Sequence, residues 1–155
     1  MPIEQSLHSE PVSRLDLSAY IVVDSGLTVR EAIRQLREEK RNVALVVNDG
    51  ALVGIFTDRD VLRKVVDKPE TWDGPIEAVM TAAPLVVKPS AVAAEALNLM
   101  DTRNFRNVPV VGDDGQIAGN LTYYSILKFL SDHFPESVYN LPPDPEQMAK
   151  QKDGA

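Results

Sequence analysis

Apolar residues along this chain follow two rhythms that alternate. YIVV at 20–23 is a short β-branched run and predicts a strand. From Thr28 onward the period lengthens: Val29, Ala32, Ile33 and Leu36 share one helical face. Thr28 and Glu31 have the spacing of a capping box, in which the hydroxyl takes a free amide and the carboxylate reaches back. VALVV at 43–47 predicts a buried strand, Asn48-Asp49-Gly50 a hairpin turn, and LVGIFT at 52–57 the returning strand. DRDVLRKVV then predicts a helix with Val61, Leu62 and Val65 on one face.

The same order is then repeated. LVV at 85–87 leads in, Ser90 is placed to cap a helix, and Ala93, Ala96, Leu97 and Met100 form its inward face. VPVV at 108–111, the turn Asp113-Asp114-Gly115, IAGNLT at 117–122 and the helix YYSILKFL follow. Val43 and Val108, Gly50 and Gly115, Gly54 and Gly119, and Thr57 and Thr122 are each 65 apart, whereas Glu31-Ala32-Ile33 falls on Glu95-Ala96-Leu97 at 64. This assigns the second copy one extra residue, between its helix and its strand. A repeated unit that cannot bury its own apolar face packs on its copy, so the fold expected is α/β, two related units in one globule with a seam both units touch. The divisions expected are a flexible 1–14, a first unit 15–66, a connector 67–80, a second unit 81–132, and a Pro-rich, largely disordered tail 133–155.

Composition narrows the function. The net charge of −7 opposes a nucleic-acid backbone as partner. The absence of cysteine excludes disulfides and thiolate chemistry. The two histidines, His8 and His133, lie outside the repeats, so neither a histidine metal site nor a Ser-His-Asp set is expected. MPIEQSLHSEP lacks the basic flank and apolar run of a signal peptide, and no apolar run approaches the ~20 residues of a membrane span. The expected location is the cytoplasm, with no metal, no membrane partner and no enzymatic activity.

A hairpin ending Gly54-Ile55-Phe56-Thr57-Asp58-Arg59-Asp60 and running into a helix, with the same frame repeated, resembles the tandem cystathionine β-synthase-type (CBS) domain pair. Val79-Met80-Thr81 and Phe105-Arg106-Asn107-Val108-Pro109-Val110-Val111 also match that family's wording, and the likeness covers about 15–132. The resemblance implies two βαββα units related by a pseudo-twofold axis and packed through their small sheets. It also implies pairing into a homodimer and binding of an adenine nucleotide (AMP-, ADP- or ATP-like) in the clefts. Such a module senses energy state and regulates a partner protein, whose identity it does not give. The alternative is a ligand-free dimerisation scaffold.

Thr57 precedes a helix whose first amides are unpaired and favour an anion. Asp60, three residues on, can accept both hydroxyls of a ribose, Thr57 can bond sugar or phosphate, and Arg59 adds positive charge. The same Thr-x-x-Asp spacing is also plain helix capping, and both roles can hold together. The resemblance places Thr81, Ala82, Ala83, Pro84 and Leu85 on the opposite wall, with Phe105, Arg106 and Asn107; Mg²⁺ could accompany the phosphates. In the second copy the position of Asp60 is taken by Ser125, whose single hydroxyl cannot replace a carboxylate, and Asn120 stands where the first unit has an apolar residue. The second cleft, near Thr122, Ser125, Leu17, Tyr20, Arg41 and Asn42, is therefore expected to be empty, weak or suited to another ligand, leaving one competent site per chain.

Overall fold

A computed structural model describes residues 3–134. The elements are α1 (Ile3–Ser9), β1 (Ile21–Asp24), α2 (Val29–Glu39), β2 (Val43–Asn48), β3 (Ala51–Thr57), α3 (Asp58–Asp60), β4 (Thr81–Ala82), α4 (Ala93–Arg103), β5 (Asn107–Val111), β6 (Ile117–Thr122) and α5 (Tyr123–His133). Beyond Asp60 the α3 turn continues as a π-helical stretch, Val61–Val65, in which Val66 N donates to Val61 O. The tail expected to be disordered lies, from residue 135 on, outside the described residues.

The architecture is mixed α/β. In the first sheet the strand order is β1-β2-β3-β4, with β1 parallel to β2 and the other pairs antiparallel. In the second, β5 and β6 pair antiparallel, and Val87 bridges Val110 in parallel. Val23 beside Val46 and Val87 beside Val110 are the same contact in the two units, 64 residues apart.

Each unit completes its core with the segment that precedes the other unit. Ile76 and Val79 are buried among Val29, Ala32, Val46, Phe56 and Val65 of the first unit. Val12 and Leu15, 64 positions earlier, are buried among Ala93, Ala96, Met100, Val108, Leu121 and Phe129 of the second. The bridges Pro11–Val92 and Thr28–Pro75 show the same exchange. Residues 3–14 are consequently not the flexible segment expected. Ile3–Ser9 is helical, and Val12 has 0% exposure, a burial worth roughly 1.5–3 kcal/mol. Likewise, 76–79 is first-unit core rather than connector.

Two close approaches fix this exchange. A Cβ on Gly54 would lie 2.2 Å from Met80 Sδ, and one on Gly119 would lie 2.3 Å from Leu17 Cβ and 2.7 Å from Leu17 O. Glycine lets the crossing segment lie directly on the strand at both points.

Pairing registers correct the repeat alignment. Val46 faces Gly54 and Val110 faces Gly119, so β5 follows β2 at an offset of 64 while β6 follows β3 at 65. The extra residue of the second copy thus lies in the hairpin turn. The first turn has two residues, Asp49 and Gly50, with φ of 50° and 80°.

Local details also differ from expectation. Thr28 accepts from Glu31 N at 3.2 Å, but the Glu31 carboxylate turns to Arg34 rather than back to the cap. The α4 N-cap is Val92, the counterpart of Thr28, and not Ser90. Leu62, expected on the inner face, is 71% exposed, while Val65 is buried.

Candidate functional site

The two units enclose a cavity of about 330 Å³, within the usual range for small-molecule sites, ~300–1,000 Å³. Three pieces of chain build it. The β3–α3 junction supplies Thr57, Arg59 and Asp60; β4 and the segment leaving it supply Thr81, Ala83, Pro84 and Leu85; the approach to β5 and its first residue supply Phe105, Arg106 and Asn107. Ala82, which pairs with Gly54 at the sheet edge, does not line it, whereas its strand neighbour Thr81 does. Ala83 takes a left-handed conformation (φ 46°), with its N–H bonded to Val53 O at 3.1 Å, and so turns the chain off the sheet onto the cavity wall.

Asp60 is 6% exposed, and its carboxylate is well partnered. Oδ2 accepts from Thr57 N at 2.9 Å; Oδ1 accepts from Thr81 Oγ1 at 3.1 Å and pairs with Lys64 Nζ at 3.1 Å. Lys64 also donates to Val79 O at 3.1 Å. Capping is therefore realised. A carboxylate offers about four acceptor positions, so a ribose diol binding here competes with the Thr81 hydroxyl and the Lys64 ammonium.

Sequence reasoning missed Ile55, Asp58, Arg63 and Lys64, which also line the cavity. The signal for Lys64 was present: Asp60 and Lys64 stand at i,i+4 on a helix, where opposite charges meet. The guanidinium groups of Arg59, Arg63 and Arg106 have no hydrogen-bond or ion-pair partner among the described residues. Arg59 is half-buried, and Arg63 and Arg106 are exposed.

At the second cleft, Thr122 and Ser125 bond one another: Ser125 N donates to Thr122 Oγ1 at 3.1 Å, and Thr122 N donates to Ser125 Oγ at 3.2 Å. Tyr20 packs against Val43, Leu45 and Ile55. Arg41 and Asn42 are exposed, and among the described residues their side chains make no hydrogen bond to Thr122 or Ser125. A carboxylate not anticipated from the sequence lies on this side. Asp16 accepts from Ser18 Oγ at 2.6 Å and Ser18 N at 3.0 Å, and pairs with Lys128 Nζ at 3.0 Å. These bonds, the Ser18 hydroxyl first, hold its pKa down at about 2.

Among the described residues no group of three or more His, Cys, Asp or Glu side chains is placed to hold a metal ion. No helix among them is long and apolar enough to cross a membrane.

The duplication agrees with comparison to known proteins. The family model described as CBS domain matches residues 12–67 and 76–132. This chain belongs to the CBS-domain family. Both matches begin where the structure's exchanged segments begin, at Val12 and Ile76. The CBS domain-containing protein CBSCBSPB5 of Arabidopsis thaliana is 35% identical over 108 residues, covering 68% of this chain but only 20% of that protein. The chain thus spans about a fifth of the length of that relative. The structure of CBSX2 of Arabidopsis thaliana in complex with AMP superposes with a TM-score of 0.68 at 28% identity, covering 79% of this chain and 96% of that one. A putative signal-transduction protein with CBS domains from Burkholderia ambifaria gives a TM-score of 0.67 at 29% identity, covering 86% and 96%.

Proposed function

We propose that this CBS pair is a regulatory module, not a catalyst, that binds an adenine nucleotide (AMP-, ADP- or ATP-like) between its units and reports energy state to a partner protein or across a homodimer. The observation that carries this reading is the cavity itself, built by both units and lined by three guanidinium groups that have no partner among the described residues. Guanidinium is well matched to phosphate oxygens. Thr57 and Asp60 then serve the sugar, Arg59, Arg63 and Arg106 serve the phosphates, and Mg²⁺ can accompany a polyphosphate. The AMP complex of CBSX2 supports the adenine nucleotide class. A ligand filling the seam touches both units and can favour one arrangement of them by its differential affinity.

The homodimer reading rests on exposed apolar residues at matching positions. Leu62 is 71% exposed and Leu127, 65 residues later, 61%. Light scattering of the full chain tests it. The location proposed for this role is the cytoplasm.

One observation favours a second reading, a scaffold without a ligand: the Asp60 carboxylate is already engaged by Thr57, Thr81 and Lys64. Mass spectrometry of small molecules released from natively purified protein separates the two. The sensor releases an adenine nucleotide; the scaffold releases none.

A further inference from the structure

The two hairpins differ at three matched positions. In the first unit, Val43, Leu45 and Ile55 form a small apolar cluster. Their register counterparts in the second unit are Asn107, Pro109 and Asn120, because Leu45 faces Ile55 as Pro109 faces Asn120. An apolar diagonal contact, Val43 with Ile55, is thus replaced by two amides, Asn107 with Asn120.

Asn120 is fully buried. Its Nδ2 donates to Ala19 O at 3.2 Å and to Asn107 Oδ1 at 3.2 Å. A backbone carbonyl only accepts, so Ala19 fixes which end of the Asn120 amide faces it. That same nitrogen then faces Asn107, which must answer with its oxygen. The Asn107 amide is consequently oriented, and its NH₂ remains a donor at the cavity it lines. Asn120 Oδ1, in contrast, is buried without a partner among the described residues. Such an atom costs stability, and an isoleucine, as in the first unit, would not carry that cost. The amide pair is therefore poorly accounted for by packing.

We infer that Asn120 is a positioning residue for the ligand. It holds Asn107 so that an N–H, and not a carbonyl, meets the nucleotide, and it ties that wall to the backbone just before β1. This inference rests on the nucleotide reading above and adds to it a specific donor and its support. The ligand atom that Asn107 meets is an acceptor: a ring nitrogen or a phosphate or sugar oxygen.

The test is a double-mutant cycle read by calorimetric titration of the full chain with AMP and with ATP. Asn120→Ile copies the first unit's residue, and Asn107→Val with Asn120→Ile copies its pair. The expected result is that Asn120→Ile weakens binding about tenfold, the scale of one hydrogen bond. In the Asn107→Val background the same change should then cost nothing further. Asn120→Asp keeps the shape but only accepts, which turns the Asn107 oxygen to the cavity, and should weaken binding at least as much. Unchanged affinity in Asn120→Ile, or an equal loss with and without Asn107, overturns the inference while leaving the nucleotide reading intact. No binding of either nucleotide by the unsubstituted chain overturns both.

Discussion

Thr81 Oγ1 lies 3.1 Å from Asp60 Oδ1, so the segment leading into the second unit is bonded to the carboxylate that closes the first unit's hairpin. The bond joins elements 21 residues apart and stands at the mouth of the cavity. Thr81→Val removes one hydroxyl from an exposed position and should cost about 1 kcal/mol. Asp60→Ala removes the acceptor for Thr57 N, Thr81 Oγ1 and Lys64 together and should cost about 2–3 kcal/mol. Urea denaturation measures both. Equal costs would show that Thr57 and Lys64 contribute nothing.

The two crossing glycines should not be equally tolerant. At Gly54 the obstruction is the thioether of Met80, which can rotate; at Gly119 it includes the backbone oxygen of Leu17, 2.7 Å away. Gly54→Ala should cost about 1–2 kcal/mol and Gly119→Ala about 3 kcal/mol or more. Adding Met80→Ala should recover part of the first loss, read as a rise in melting temperature. A milder effect at Gly119 than at Gly54 would contradict this ordering.

Helices α2 and α4 both end on a left-handed residue, Lys40 (φ 54°) in one and Asn104 (φ 55°) in the other. Lysine is the poorer choice there, since its Cβ meets the carbonyl. Lys40→Gly should stabilise the protein by about 1 kcal/mol, and Asn104→Gly by less, in the same denaturation assay.

Asp16 gives a pH signature. Its folded pKa of about 2 lies below the ordinary value of 3.8 because Ser18 and Lys128 favour the charged form. The sign follows: the unfolded chain takes up this proton first. The stabilisation is present above about pH 4 and is lost as the pH falls from there toward 2. Asp16→Asn should lower the melting temperature at neutral pH and flatten its dependence across that window. An unchanged slope below pH 4 would remove Asp16 from the account.

Local patterns in the chain were enough to place most elements. The β-branched runs, the Asp49-Gly50 turn and the Gly54/Gly119 pair mark both hairpins; Thr57, Asp60 and Arg106 line one cavity, and it was the family resemblance, not the local pattern, that set Arg106 opposite the other two. Misreadings came from relationships that no local pattern carries. VALVV and VPVV match almost as well when slid by one residue, so only backbone pairing shows that the second copy's extra residue is in its turn. Val12 and Leu15 look like stray apolar residues because the core they fill belongs to the other unit. Asn120 reads as an irregular strand residue until Ala19, 101 positions away, is found against it.

The central claim is that the seam holds a phosphate-bearing adenine nucleotide. Arg59 and Arg106 give the most direct test, since neither side chain has a structural partner among the described residues and their loss should leave stability within about 0.5 kcal/mol. Calorimetric titration with ATP should show one equivalent bound per chain, and Arg59→Ala with Arg106→Ala should weaken it at least tenfold with melting of the free protein unchanged. Equal affinity in the variant, or no heat of binding to the unsubstituted chain, would contradict the account.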